Sequence, residues 1–334
     1  MKSNPLKLTP WIGAICLIAV VAFWAVRRGG NGDQGPENRL GYTVSPDSTA
    51  STDIDADHLL EQVVQQLEER QSVSAEIRFQ TTMLGQLVTG KGGYQQLGAG
   101  AARMYRLWLD GSEEGSPMWM SQSVSDQGQF LWSQSELPLG KVFQVVDLDK
   151  VRHAIRQTAS TGSAGTRPGN TGQGSGGLMP TPLGALSEVI ENLCGQFEFA
   201  PVEELALADN RFWVVRGQLS TERLKKLLPE EVDSIDAGSF DRWHLLPENQ
   251  PHTLILLIGA ESLFPHRLML QRYGQEKHEG TTRVTPPRSF MLVDLHDVQL
   301  DGSIDPRHFE PLADRKDALD VTQKYLERYA VAKH

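Results

Sequence analysis

The stretch GQLVTGKGGYQQLG, residues 85–98, comes close to a phosphate-binding loop, because it reads Gly-x-x-x-x-Gly-Lys up to Gly90 and Lys91. Such a loop needs a Ser or Thr after the lysine to hold Mg²⁺, and a helix that begins there and presents its amides. Gly92 stands where the hydroxyl belongs, and the residues at 87–89 favour an extended strand. The stretch is therefore predicted to be part of an antiparallel sheet, joined to its neighbours by Gly-rich turns.

A second candidate is a cluster of acidic residues with one histidine. In Asp294-x-His296-Asp297, Asp294 and His296 fall on one face of a strand, where a metal ion could use both. Two converging ligands are too few for a metal site, so a solvated strand face is the expected interpretation. Residues 297–308 imitate a calcium loop, but His308 occupies the position that needs a bidentate glutamate. We expect neither a metal ion nor a cofactor.

No arrangement of nucleophile and base is evident. A Gly-x-Ser-x-Gly elbow is absent from the sequence. Cys16 lies in an apolar N-terminal run and cannot pair with Cys194 in the remainder of the chain. Cys194 has no base near it in sequence and is expected to be a small buried apolar residue. We therefore expect no catalytic residues and a protein that is not an enzyme.

The composition limits the classes of partner. The chain of 334 residues has a formal net charge of −10 and 39% hydrophobic residues. Binding to nucleic acid requires a basic face, so this charge argues against such a partner. The hydrophobic content is sufficient for a core of ordinary size.

The N-terminal apolar run is predicted to be a membrane anchor. Residues 8–26 carry no charge and form a helix of about 28 Å, which just spans a bilayer core. Trp11 and Trp24 lie near its ends, where indoles favour the membrane interface. A cleaved signal peptide is the competing interpretation, but no Ala-x-Ala site follows the run and two arginines do. We expect residues 1–28 to be an uncleaved signal-anchor in the inner membrane.

The rest of the chain divides by composition. Residues 29–55 are polar and predict a flexible linker. The body, residues 56–334, begins with a helix for which Asp57 is a plausible N-cap, and continues with several short strands. Residues 158–181 are of low complexity and predict a disordered insertion. A further helix follows the insertion, and another closes the chain.

Aromatic and methionine side chains crowd the first half of the predicted sheet. The simplest interpretation is an ordinary core, since large apolar side chains are mostly buried. The alternative is that flexible thioethers and flat rings line an adaptable apolar cavity. A register error of one residue moves every side chain to the other face, so the sequence does not decide which face the rings occupy. The candidate cavity-lining residues are Met83, Met104, Trp108, Met120 and Trp132.

Three short motifs give the chain a resemblance to a known family. They are Asp126-Gln127-Gly128-Gln129-Phe130-Leu131-Trp132, Phe264-Pro265 and Asp305-Pro306-Arg307-His308-Phe309. With the order of elements, they resemble the LolA-like family of periplasmic lipoprotein carriers and their uncharacterised relatives, over about residues 56–330. The first motif has one extra residue, and the third departs from the family's Asp-x-Phe. The resemblance implies an α+β fold, an incomplete antiparallel β-barrel that holds helices on its concave face around an apolar cavity.

Two functional hypotheses follow from this resemblance. The first is a non-catalytic, membrane-tethered lipid- or lipoprotein-binding protein that takes an acyl chain into the half-barrel. The second is an envelope protein-interaction or sensor module on the same fold, with a closed cavity. A connected void on the concave face would favour the first hypothesis, and closed packing the second. In both, residues 1–7 are cytoplasmic and residues 27–334 lie in the periplasm, anchored by a single pass through the bacterial inner membrane.

Overall fold

A computed structural model describes most of the chain from residue 49 onward. The described residues are 49–83, 86–113, 116–137, 140–161, 185–207, 210–247, 250–278, 281–311 and 315–331. The helices are α1 (Ala56–Glu69), α2 (Leu148–Thr161), α3 (Leu186–Cys194), α4 (Thr221–Leu227), α5 (Val232–Asp236) and α6 (Thr322–Val331). The strands are β1 (Thr49–Ser51), β2 (Ser72–Met83), β3 (Gln86–Leu97), β4 (Met104–Glu113), β5 (Ser116–Ser125), β6 (Phe130–Leu137), β7 (Gly140–Asp147), β8 (Phe197–Phe199), β9 (Glu203–Leu207), β10 (Asn210–Leu219), β11 (Thr253–Gly259), β12 (Pro265–His278), β13 (Thr281–Leu300) and β14 (Leu319–Asp320).

The described strands join into one open sheet. Its order is β1-β9-β10-β11-β12-β13-β2-β3-β4-β5-β6-β7-β14, and β8 pairs with the end of β10. Neighbouring strands are antiparallel, except that the two-residue β14 lies parallel to β7. The sheet has two free ends, β1 and β14, so it is consistent with the predicted incomplete antiparallel barrel. The strand β2 pairs with β13 across more than two hundred residues of sequence, and this pairing joins the two halves.

The two faces of the sheet differ in what covers them. We call the face that packs against α1 and α3 the inner face, and the opposite one the outer face. Along β2, Ala75 and Ile77 point inward into the core, while Glu76 and Arg78 point outward. Every strand from β10 to β7 contributes side chains to this inner core.

The helix α1 forms because its apolar residues recur on one face. Leu59, Leu60, Val63 and Leu67 are all exposed by 3% or less and pack into the inner core. Asp55 is the N-cap, since its Oδ1 accepts the amide N–H of His58 at 2.8 Å. The sequence prediction of Asp57 as the cap was therefore wrong by two residues, because the helix begins at Ala56 and not at His58.

The predicted anchor, residues 1–28 with Trp11 and Trp24, lies outside the described residues. Among the described helices, none is both long enough and apolar enough to cross a bilayer. The last part of the predicted linker contains β1, which pairs with β9. The helix α2 extends to Thr161 and thus into the predicted insertion, of which residues 162–184 are not described. The division into anchor, linker and single domain stays a prediction.

Candidate functional site

The inner face and the helices that cover it form the candidate site. The helix α3 lies beside α1, and its Ile190 and Leu193 are buried in the same core as Leu60 and Val63. Each helix is connected to the sheet only through the chain at its two ends. The helix α3 begins shortly after the undescribed residues 162–184. These two amphipathic helices cover part of the apolar inner face, and Val151 of α2 and Leu224 of α4 belong to the same core.

A buried tyrosine ties the start of α3 to the sheet. The amide N–H of Leu186 donates to Tyr94 Oη at 3.1 Å, which satisfies one of the free amides at the helix N-terminus. Tyr94 Oη donates in turn to Gln96 Oε1 at 2.8 Å, and Gln96 Nε2 donates to the carbonyl of Leu67 at 3.0 Å. Burial raises the pKa of Tyr94 well above its ordinary value, so the phenol keeps its proton. This chain connects α1, the sheet and α3.

A buried arginine makes the second polar connection to α3. Arg103, which is 8% exposed, lies between β3 and β4 and donates from Nη1 to Ser187 Oγ at 2.8 Å. Its Nη2 lies 3.8 Å from Glu68 Oε1 on α1, and that carboxylate is half exposed. We call Tyr94, Gln96, Arg103 and Ser187 the polar latch. It holds both helices to the sheet by directional contacts within an otherwise apolar region.

The candidate cavity-lining residues are divided between the two faces. Met120 points inward and is buried in the inner core. Met104, Trp108 and Trp132 point outward, because they alternate with inward-facing neighbours on β4 and β6. Met83 ends β2 opposite Gln86. The structure does not bring the two tryptophans together with Met120, so these residues do not line one cavity.

Trp108 packs across β3 on the outer face. A side-chain carbon at Gly93, its partner on β3, would overlap the indole ring, so the glycine makes room for it. The guanidinium of Arg106 lies 5.6 Å from the ring centroid, within range of a cation–π interaction. Arg106 also donates to the carbonyl of His308 at 3.1 Å. Arg106 thus links the segment after β13 to the sheet beside this tryptophan.

Trp132 belongs to a separate aromatic cluster on the outer face. Its ring stacks on Phe143 at 5.7 Å, and Phe130 and Val145 pack beside it. Its Nε1–H donates to Ser125 Oγ at 2.7 Å. The cluster follows the turn at Asp126–Gly128, in which Gln127 has a φ of 55°. The first family motif therefore shapes a turn and the packing beside it.

The other two family motifs are also structural anchors. Phe264, exposed by 1%, follows Leu263, whose φ of 50° turns the chain between β11 and β12. Phe309, also exposed by 1%, ends a short 3₁₀ helix that Asp305 caps by accepting the amide N–H of Arg307 at 3.0 Å. None of these contacts places a nucleophile or base at an open surface.

The residues that imitate a phosphate loop form a strand, as predicted. Gly90 and Lys91 lie within β3, and their partners on β2 are Phe79 and Arg78. A side-chain carbon at Gly90 would collide with the Phe79 ring and with the carbonyl of Asp110. The glycine is therefore explained by close packing of three strands.

The acidic residues near the end of β13 do not converge in the way that a calcium loop requires. Asp301 accepts from Arg70 Nη1 at 2.7 Å and from the amide of Gln71 at 3.0 Å, and the hydrogen bond from Arg70 lowers the pKa of Asp301. Asp294 forms a two-point ion pair with Arg267. Neither carboxylate faces His296.

His296 has different neighbours from those that its sequence suggests. Its Nδ1 lies 3.0 Å from Asp297 Oδ2 and 3.9 Å from Glu76 Oε2 on β2. Glu76 was not a candidate in the sequence, because it is more than two hundred residues away. Its position opposite His296 is set by the pairing of β2 with β13.

A depression at the start of α2 is lined mostly by charged residues, including Asp147, Asp149, Lys150 and Arg152. Asp147 Oδ1 accepts the amide of Lys150 at 3.0 Å and so caps the helix. Arg152 Nη1 donates to the carbonyl of Gly128 at 2.7 Å. These groups already have partners, and the depression offers little apolar surface to a lipid.

Cys194 is inert in this environment. It packs at the edge of the inner core, where desolvation, followed by the charge of Asp57, raises the pKa of the thiol to about 12. A thiol with such a pKa is not a nucleophile at neutral pH. Cys194 is partly buried, where the sequence predicted a small buried apolar residue.

No family model and no curated protein sequence matches the chain. Solved structures do match. A DUF1329 family protein from Desulfovibrio piger is 12% identical, with 76% of this chain and 95% of that chain covered and a TM-score of 0.30. The MucA/MucB complex of Pseudomonas aeruginosa is 9% identical, with 77% of this chain and 61% of that chain covered and a TM-score of 0.35. An outer membrane lipoprotein-sorting protein domain from Vibrio parahaemolyticus is 7% identical, with 75% and 94% covered and a TM-score of 0.26.

Proposed function

We propose that the protein is a non-catalytic, extracytoplasmic binding protein that takes up an acyl chain between its sheet and α3. The observation that carries this proposal is the construction of the inner face. A continuous apolar surface is covered by a nine-residue helix whose polar attachments are concentrated at its N-terminal end. Displacement of α3 would open the inner core where Ile190 and Leu193 now pack and where Leu186 meets Tyr94.

The free energy of binding would come from burial of methylene groups. Each buried CH₂ contributes about 0.8 kcal/mol, so ten of them offer about 8 kcal/mol. Release of α3 costs the hydrogen bonds at Tyr94 and Ser187 and the packing of Ile190 and Leu193. An acyl chain in the same place restores the apolar contacts of the sheet, which offsets most of that cost.

A photoactivatable fatty acid tests the proposal on the full chain in nanodiscs. After irradiation and digestion, fragment spectra that locate the label within each peptide should place it on inner-face residues such as Leu107 and Met120, and not on the outer-face residues Trp108 and Trp132. Native lipid recovered with the purified protein would support the same conclusion. Absence of both retained probe and recovered lipid would contradict it.

The second candidate is a protein-interaction or sensor module, and closed packing favours it. Among the described residues, the side chains between α1, α3 and the sheet, such as Val63, Leu107 and Ile190, are exposed by 2% or less. In this case the helices remain part of the core, and a partner protein binds the solvent-exposed surface of the domain. Chemical cross-linking in membranes would then return a stoichiometric protein partner, and the fatty acid would leave the inner face unlabelled.

We further propose that residues 8–26 tether the protein to the bacterial inner membrane, with its body in the periplasm. The support is the uncharged N-terminal run between Trp11 and Trp24 and the family resemblance. Alkaline phosphatase fused after His334 should be active, and a reporter that works only in the cytoplasm should be silent. The reverse pattern would overturn the location and the carrier hypothesis with it.

A further inference from the structure

We infer that the outer face holds a site for a divalent transition-metal ion, formed by Glu76, His296 and Asp297. One nitrogen and two carboxylate oxygens lie within 4.8 Å of one another, a spacing that a single ion can bridge. The donors come from two strands, because Glu76 lies on β2 and the other two on β13. This inference is independent of the proposed binding of an acyl chain.

A break in strand pairing brings the two β13 donors together. Consecutive residues of a regular strand point to opposite faces, so His296 and Asp297 would normally be separated. Here the register between β13 and β2 shifts between His296 and Gln299, and Asp297 has a φ of 50°. This bulge turns the Asp297 carboxylate back to the outer face, to 3.0 Å from His296 Nδ1.

The imidazole of His296 presents Nδ1, and not Nε2, to the two carboxylates. His296 Nε2 is buried and has no hydrogen-bond partner among the described residues. Nδ1 lies at the other edge, near Asp297 Oδ2 and 3.9 Å from Glu76 Oε2. The side chains of Glu76 and Asp297 are 70% and 74% exposed, so both can adjust to an ion that arrives from solvent. The His296 side chain is 27% exposed, so its neighbours restrict it more than they restrict the two carboxylates.

The donor set selects the class of ion. One imidazole nitrogen and two carboxylate oxygens suit Zn²⁺ and other late first-row divalent ions, with water completing the coordination. Mg²⁺ and Ca²⁺ prefer oxygen donors alone and should bind weakly here. The nearby carboxylate of Asp294 is occupied by Arg267 and does not contribute. A bound ion would join β2 to β13 where the two halves of the sheet meet.

The test is calorimetric titration of the full chain in nanodiscs with ZnCl₂, together with the visible absorption of bound Co²⁺. We expect one site that Asp297→Asn and His296→Gln each weaken by at least about tenfold, because each removes a direct ligand. Asparagine tolerates a positive φ, so Asp297→Asn keeps the bulge and tests the ligand without changing the backbone. MgCl₂ should give no comparable heat.

His308→Gln is the matched control, because His308 is exposed and lies outside the cluster. It should bind Zn²⁺ as the unaltered protein does. If all three variants bind Zn²⁺ with the affinity and the Co²⁺ spectrum of the unaltered protein, the proposed site is wrong. If the unaltered protein shows no stoichiometric site for Zn²⁺, it is equally overturned. Circular dichroism of each variant separates loss of a ligand from loss of the fold.

Discussion

The inner and outer faces of the sheet are built from the same strands, and yet they perform different physical tasks. The inner face is apolar from β10 to β7 and is covered in part by α1 and α3, with the polar latch as its main directional element. The outer face has ion pairs, small apolar clusters around Trp132 and Val214, and the cluster at His296. Strand alternation allows one sequence to specify both, because each residue belongs to one face only.

Two histidines illustrate the difference. His252 packs between Trp243 and Tyr273 beside the inner core, is 1% exposed, and accepts the amide N–H of Tyr273 at Nδ1. His296 lies on the outer face with its Nδ1 near two carboxylates. The inner environment keeps a histidine neutral by excluding water, whereas the outer one offers a histidine to a cation.

The largest expected effect is the removal of an inner-face side chain. Leu60→Ala deletes a side chain that is 1% exposed between α1 and the sheet, and should lower the free energy of unfolding by about 2–5 kcal/mol. Urea unfolding followed by circular dichroism measures the change. Leu319→Ala, at an exposed leucine on β14, is the control and should change stability by less than about 0.5 kcal/mol. Equal effects at the two positions would show that the inner face is not the core.

The next effect tests whether the outer face also contributes to stability. Asp294→Asn removes one charge from a pair in which Arg267 and Asp294 are 11% and 19% exposed, and should cost about 3 kcal/mol. The matched control is Glu204→Gln in the exposed pair with Arg211, which should cost less than about 1 kcal/mol. The same unfolding measurement applies. A small loss for Asp294→Asn would show that this ion pair adds little to the stability of the fold.

Sequence periodicity predicted most of the secondary structure but not the faces of the sheet. Ile77 and Phe79 alternate with polar residues, and the structure places both on the inner side. The strands that contain Trp108 and Trp132 do not show this alternation, since apolar residues occur on both of their faces. Their position depends on partners in other strands, such as Gly93 and Phe143. Only the complete set of strand pairings decides it.

The candidate metal cluster was only half visible in the sequence. The doublet His296-Asp297 was noticeable, but Asp294 was the expected companion because it shares a strand face with His296. Its actual partner is Arg267, and the third donor is Glu76, brought in by the pairing of β2 with β13. A bulge and a long-range pairing are both tertiary effects, which local spacing does not encode.

A pH titration sharpens the comparison of the two histidines. Desolvation, with the charge of Arg272 as a second cause, lowers the pKa of His252 from 6.5 to about 4. Between pH 6.5 and pH 4, the unfolded chain therefore binds a proton at His252 that the folded protein does not bind. The free energy of unfolding is not reduced by this group above pH 6.5, and it decreases as the pH falls toward 4. The loss should be about 1–3 kcal/mol in that window.

The measurement is the free energy of unfolding between pH 7 and pH 4, for the unaltered protein and for His252→Asn. The variant should show a shallower decline, because it lacks this proton uptake. Desolvation also lowers the pKa of His266, so some slope should persist in the variant. Parallel curves for the two proteins would mean that His252 does not titrate differently on folding.

The smallest effect on stability bears most directly on function. Tyr94→Phe leaves the amide of Leu186 and the Gln96 side chain without their hydroxyl partner, at a cost of about 1–2 kcal/mol. The loss concerns the start of α3, so hydrogen exchange there should accelerate by about tenfold. Uptake of the photoactivatable fatty acid should increase, because the helix is displaced more readily.

Trp132→Phe removes the hydrogen bond to Ser125 on the outer face and is the matched control. Faster uptake in Trp132→Phe, or unchanged uptake in Tyr94→Phe despite faster exchange, would separate α3 from ligand entry and favour the closed interaction module.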